Sequence, residues 1–180
     1  TMLTDHIGAV FLENGVISAY NQQLSSAWDF ETTSFLYQAD RILRSVGRIS
    51  FPIFCFLLVE GFVHTSNRKK YALRLFLFAC VSELPFDLCF NGGLLEFSYQ
   101  NVMFTLLIGF LTLWLMDIVR QKNPVLLLFT AGGGILLGKL FAADYNWKGI
   151  VLILILYLFY SYPLEKTIAG CLSLLWEPVA

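Results

Sequence analysis

From Val102 to Met116 the chain carries no charged residue. A helix crossing a bilayer needs about 20 mostly apolar residues, within a range of roughly 17–25. Inside hydrocarbon only helices and closed barrels satisfy every backbone N–H and C=O. Barrel strands alternate in polarity over about ten residues, whereas Phe104-Thr105-Leu106-Leu107-Ile108 and Val151-Leu152-Ile153-Leu154-Ile155-Leu156-Tyr157 are continuous. The pattern therefore predicts an all-α fold, a polytopic transmembrane helical bundle with about seven helices visible.

The same measure of length and apolarity places these helices along the chain. A first ends near Ala19, a second runs from Val46 to Val63, and a third from Tyr71 to Phe90. A fourth spans Val102 to Val119, a fifth Pro124 to Phe141, a sixth Gly149 to Tyr162, and a seventh starts near Thr167. The abrupt ends, at Thr1 inside an apolar stretch and at Trp176-Glu177-Pro178-Val179-Ala180, read as a core with one or both termini missing. Residues 1–180 are expected to form one domain, with no internal repeat. The polar stretch Tyr20–Asp40 is its one long connection, too long for a simple turn.

Composition supports this class. Only 14% of residues are charged against 57% hydrophobic, where a soluble domain carries about 25% charged residues. The net charge of −1 gives no electrostatic reason to expect nucleic acid as a partner. Cys55, Cys80, Cys89 and Cys171 form no Cys-x-x-Cys pair and no cluster with histidine. They read as small hydrophobes in helix packing, and no metal site is expected.

Lys and Arg in short loops set orientation. Arg68, Lys69 and Lys70 follow the second helix, and Arg120 and Lys122 follow the fourth, so both loops lie on one side. The Glu96 loop holds no Lys or Arg. The Arg68 loop is thus assigned to the cytoplasm and Tyr20–Asp40 to the outside. Arg41, Arg44 and Arg48, near the outer end of the second helix, run against this assignment.

Ionisable groups in a bilayer are candidates for function. In the first helix stand Asp5 and His6, then Glu13. Counting from Ala19 at about 1.5 Å per residue puts His6 roughly 20 Å inward, near mid-membrane. It is either a general base, with an unperturbed pKa of about 6.5, or a packing histidine bonded to another helix. Arg41, Arg44 and Arg48 share one helical face. The first two read as surface ion-pair partners, and Arg48, entering an apolar run, as facing the interior. Glu83 and Asp87 stand at i, i+4 around Pro85, either as a substrate pocket with an arginine or as a structural polar network.

The loop from Gly61 to Lys70, with Arg74 a turn further on and expected to be less hydrated, concentrates cations. It either fixes topology or contacts the phosphates of a cytosolic coenzyme A ester. Glu60 and His64 are i, i+4 neighbours able to pair. Gly132-Gly133-Gly134 lacks a following Lys-Ser/Thr and reads as a helix-packing or bending element.

Several of these segments resemble one known family in order and spacing. They are Asp5-His6-Ile7-Gly8, Gly47-Arg48-Ile49-Ser50-Phe51-Pro52-Ile53-Phe54, Glu60-Gly61-Phe62-Val63-His64-Thr65, Arg68-Lys69-Lys70-Tyr71-Ala72-Leu73-Arg74-Leu75, Leu84-Pro85-Phe86-Asp87 and Ala143-Asp144-Tyr145. Over nearly its whole length the chain resembles the TraX family, most specifically at Gly47–Leu75. The resemblance implies a multi-pass protein of the bacterial inner membrane, the family being named for a conjugal-transfer product that acetylates a pilin N-terminus. It also implies a distant relation to membrane acyltransferases, which use cytosolic acyl-CoA and a bundle histidine.

On that basis the expected activity is acetyl transfer from acetyl-CoA to an amine or hydroxyl acceptor, a pilin or another envelope molecule. His6 would act as the base or form a transient acetyl-histidine, and Arg48 would stabilise negative charge on the acceptor or the developing oxyanion. Asp5, Glu83 and Asp87 would be supporting catalytic residues, with the two from the third helix orienting His6 or binding an amine. His64, Arg68, Lys69, Lys70 and Arg74 would hold coenzyme A. The rival expectation is a non-enzymatic transporter or a pilus or envelope assembly protein whose buried ions line a path.

Overall fold

A computed structural model describes residues 30–90, 100–120, 122–141 and 145–174, and among them every regular element is an α-helix. In chain order these are α1 (Phe30–Arg48), α2 (Ser50–His64), α3 (Arg68–Phe90), α4 (Val102–Val119), α5 (Pro124–Leu140), α6 (Asn146–Leu158) and α7 (Pro163–Leu174). The chain divides into two compact units, Thr1–Ile53 with Leu174–Ala180, and Phe54–Ser173. The first helix expected from the sequence lies outside the described residues.

In the first unit, α1 corrects the expectation of a long connection from Tyr20 to Asp40. Hydropathy reports apolarity, and the segment from Phe30 is too polar to register, with Glu31, Thr32, Thr33, Gln38, Asp40 and Arg41 in its first turns. It nevertheless forms 19 residues of helix. Arg41, Arg44 and Arg48 all lie on it rather than on the following apolar helix. The chain breaks helical hydrogen bonding at Ile49, so the expected span from Val46 begins at Ser50 instead. The Ser50 hydroxyl donates back to the Gly47 carbonyl across that junction.

In the second unit α4 is the hub, packing against α3, α5 and α6, while α5 also packs on α6. Local chemistry fixes its start: the Asn101 side chain accepts from Met103 N at 2.9 Å, an N-cap that satisfies one orphan donor of the first turn. Asn123 does the same for α5 through Val125 N at 2.9 Å, ahead of Pro124 at the first helical position, where a missing N–H costs nothing. Asn67 caps α3 through Lys70 N at 3.0 Å, which moves that helix's start back from the expected Tyr71 to Arg68. The sixth and seventh helices likewise begin earlier than expected, at Asn146 and Pro163, and the sixth stops at Leu158.

The core lies along α4. Phe62, Phe110, Leu113, Ile150, Ile153 and Leu156 are almost fully buried. Two glycines permit the close approach of their helices: a Cβ on Gly109 would run into Ile153, and one on Gly134 into Thr112. Only the last of the three successive glycines serves this packing, for Gly132 and Gly133 face open space.

The outer faces are apolar. Leu111, Leu115 and Ile118 of α4 are exposed, as are Leu128 and Phe129 of α5, at 73% and 72%. Among the described residues one helix, α4, is long and apolar enough to cross a membrane, with a mean hydropathy of 2.2 over 18 residues. α2, α5 and α6 are apolar but have 15, 17 and 13 residues. The all-helical class stands as expected, and full spanning length is reached by α4 alone among these helices.

Candidate functional site

Polar side chains tie α3 to α4 near both ends of the pair. Arg68, the first residue of α3, places Nη1 2.6 Å from Asp117 Oδ2 near the end of α4. At the other end of the same pair, Asn101 N donates to the Glu83 carboxylate at 3.3 Å, and Asn101 Nδ2 donates to that carboxylate and, at 3.0 Å, to the Ala79 carbonyl. The start of α3 thus meets the end of α4 and the reverse, so the two helices are antiparallel. That arrangement brings the Arg68 loop and the Arg120–Lys122 turn to the same end, as the charge pattern required.

Aromatic packing holds this end together. The Arg68 guanidinium carbon lies 4.5 Å from the Phe62 ring centroid. Phe62 meets Phe110 and Tyr157 edge-on, at 5.4 and 5.7 Å between centroids, and Tyr71 stacks on Phe110 at 4.7 Å and 12°. Gly61 makes the arrangement possible. A Cβ there would sit 2.6 Å from the Tyr71 hydroxyl oxygen and 3.0 Å from its ring.

A histidine stands above this packing. His64 Nδ1 is 2.9 Å from the Glu60 carbonyl oxygen and 3.5 Å from Glu60 Oε2. A carbonyl only accepts, so the hydrogen is on Nδ1 and the neutral ring keeps its lone pair on Nε2. The Tyr160 hydroxyl, in the turn after α6, donates to Glu60 Oε2 at 3.0 Å. The carboxylate is held by a residue one hundred positions away, and the His64 side chain remains 70% exposed.

Around it lie Lys69, Lys70 and Arg74, all exposed and without an ion pair to any described residue. Arg74, expected to be less hydrated than the loop lysines, is exposed as they are. It falls on the outer face of α3, in contrast to Leu75 beside it, which is buried. Arg68 differs from its neighbours too, because Asp117 and Phe62 engage it. Two lysines in the first turn of α3 add their charge to the positive end of the helix dipole, which makes this end receptive to anions. Nothing among the described residues groups three potential metal ligands.

A family model described as TraX protein matches residues 1–176. The chain belongs to the TraX family. This TraX-family chain is also 32% identical, over 184 residues, to a probable fimbrial assembly protein, FimC of serogroup H1, from Dichelobacter nodosus. The alignment covers 96% of the present chain and 63% of that relative, so the chain spans less than two thirds of the relative's length. No solved structure matches it.

The residues singled out in the sequence do not form one cluster. His6 and Asp5 lie outside the described residues. Arg48 ends α1 in the first unit. Glu83, 8% exposed, is engaged at the start of α4, where a carboxylate near the positive end of a helix is stabilising. Asp87 follows it one turn later in α3. His64, Arg68, Lys69 and Lys70 do come together, in and beside the capped start of α3. Sequence reasoning missed Asp117 and Tyr160. Asp117 carried a signal, being the one charge in the Val102–Val119 run. Tyr160 carried none.

Proposed function

We propose that this chain is a multi-pass protein of the bacterial inner membrane that transfers an acetyl group from cytosolic acetyl-CoA to an amine or hydroxyl acceptor, a pilin N-terminus being the leading candidate. The observation that carries the reading is the proximity of exposed His64, at the end of α2, to Lys69 and Lys70, exposed in the first turn of α3. A multiply charged phosphate compound suits such an end. TraX membership and the fimbrial relative supply the pilin as acceptor class. The exposed apolar faces of α4 and α5 supply the membrane, since soluble monomers rarely expose large contiguous apolar patches.

In this reading the acceptor attacks the thioester carbonyl while His6 takes the proton the acceptor loses. The C–S bond then breaks, and coenzyme A leaves as the thiol after recovering that proton. Lys69, Lys70 and Arg74 hold its phosphates, and His64, oriented by Glu60 and Tyr160, sits beside them. Arg48 stabilises the developing oxyanion. Glu83 keeps the α3–α4 end in register.

The test is incubation of purified protein with labelled acetyl-CoA, following thioester loss with and without a pilin N-terminal peptide. His6→Ala and His6→Gln should both abolish acceptor-dependent loss while remaining inserted and folded in detergent. Full turnover in either variant removes His6 from the mechanism. No turnover by the native chain, with pilus assembly impaired in its absence, favours the second reading, an assembly role like that named for the Dichelobacter nodosus relative.

A further inference from the structure

α4 and α5 separate along one side to leave a groove of about 330 Å³, lined by Ile108, Leu111, Leu115, Phe129, Gly133 and Leu137. Its volume falls in the range of small-molecule sites, about 300–1,000 Å³. Thr112 and Thr130 also border it, but each spends its hydroxyl proton within its own helix and has none to donate to a ligand. Thr112 Oγ1 donates to the Ile108 carbonyl and Thr130 Oγ1 to the Leu127 carbonyl, each at 2.8 Å within its own helix. What remains facing the groove is hydrocarbon. An occupant with polar groups along its length would lose their hydration and regain nothing.

Gly133 accounts for the space. A Cβ built there meets nothing within 4 Å, whereas Gly134, next in sequence, is closed against Thr112. From Ile108 to Leu115 the groove runs about 10 Å along the helix axis, against about 15 Å for half of a hydrocarbon core. It leads towards the turn where α4 gives way to α5. There stand Arg120 and Lys122, both exposed, beside the N-terminus of α5. At the opposite end the described cations are Lys139, exposed near the end of α5, and Lys148, in the first turn of α6 and engaged by another group.

We propose that this groove binds one acyl chain of an anionic glycerophospholipid, whose phosphate lies at the Arg120–Lys122 turn. The shape takes a single hydrocarbon chain, and the cations with the helix N-terminus take the negative head. The proposal rests on the membrane reading above, though not on acetyl transfer.

The experiment uses native mass spectrometry of the detergent-purified chain after delipidation and addition of phosphatidylglycerol or phosphatidylcholine. The native chain should retain one phosphatidylglycerol at least tenfold more strongly than phosphatidylcholine. Gly133→Leu, which fills open space, should lose that molecule while keeping its helical circular dichroism. Arg120→Gln with Lys122→Gln should equalise the two lipids without filling the groove, and Lys139→Gln should leave the preference intact.

Undiminished phosphatidylglycerol binding by Gly133→Leu overturns the proposal. So does equal retention of both lipids by the native chain, or a Gly133→Leu variant whose one change is dissociation of a dimer, which would make the groove a contact between copies. Recovery of the native chain from the soluble fraction would overturn the membrane reading and this proposal with it, whereas lipid selectivity without acetyl transfer would leave the proposal standing.

Discussion

Arg68 Nη1 and Asp117 Oδ2 meet at 2.6 Å across forty-nine residues of sequence, and the same guanidinium lies over the Phe62 ring. Both members are about one third exposed, so solvent screening limits the pair to the upper part of the range for surface bridges, about 1 kcal/mol. The ring contact adds about 0.5–1 kcal/mol. Arg68→Gln should therefore destabilise by up to about 2 kcal/mol, and Asp117→Asn by about half as much. The double variant should fall short of their sum. Arg68→Lys should restore little, because an ammonium has neither the planar face nor the fork of a guanidinium. Thermal unfolding of the four proteins in detergent measures this, and strict additivity would dissolve the pairing.

Lys69 and Lys70 remain available for a ligand as Arg68 does not. Changing both to Gln should raise the KM for acetyl-CoA about tenfold, equivalent to roughly 1.4 kcal/mol. The increase should shrink with added salt, since exposed charges are screened over about 8 Å at physiological ionic strength. Arg74→Gln should cost no more than one lysine, its side chain being exposed. An unaltered KM in the double variant and in Arg74→Gln would leave the cluster a role in topology alone.

Gly61 is the next position to probe, because the Tyr71 ring lies where its side chain would be. Gly61→Ala should destabilise by about 1–3 kcal/mol, the usual range for overpacking, and should disturb the stack of Tyr71 on Phe110. Gly61→Ala combined with Tyr71→Leu should recover part of the loss. Circular dichroism melts suffice. If the single variant is neutral, the glycine in the Glu60-Gly61-Phe62 motif needs another explanation.

Topology yields to thiol labelling in a background freed of native cysteines, two of which, Cys80 and Cys171, are exposed. A cysteine at Ser66 and another at Asn123 should react with an impermeant reagent from the same side. Their shared side follows from the antiparallel α3–α4 pair, and its cytoplasmic assignment from the Lys/Arg pattern. Labelling from the outer side alone would make Arg41, Arg44 and Arg48 the orienting charges.

How much of this was legible depends on which force shaped each part. The limits of α4 could be read directly, because its apolar run from Val102 to Val119 is the helix itself. α1 was read as a connection since a window tuned to apolarity ignores a polar helix, even one whose arginines fall on a single face. The cationic loop was visible as charge, but charge alone could not distinguish Arg68 from Lys69. That distinction needs Asp117 and Phe62, brought in by folding. Tyr160 and Glu60 are coupled by tertiary structure over too long a separation for spacing to report. Gly61 appeared in a motif without a cause, and the cause is the ring of Tyr71.

On the proposed membrane reading, the bond between Glu83 and Asn101 bears on how the chain enters a bilayer. A helix carrying a charged carboxylate roughly 20 Å from its start is a poor candidate to partition by itself, with a penalty of about 2.5–3.5 kcal/mol for an acidic side chain at mid-membrane. Asn101 and the start of α4 supply the donors that α3 lacks. The translocation machinery would then do best to hold α3 until α4 has been synthesised and to release the two together as a helical hairpin. The bond that fixes register in the finished protein would also set the order of its biogenesis.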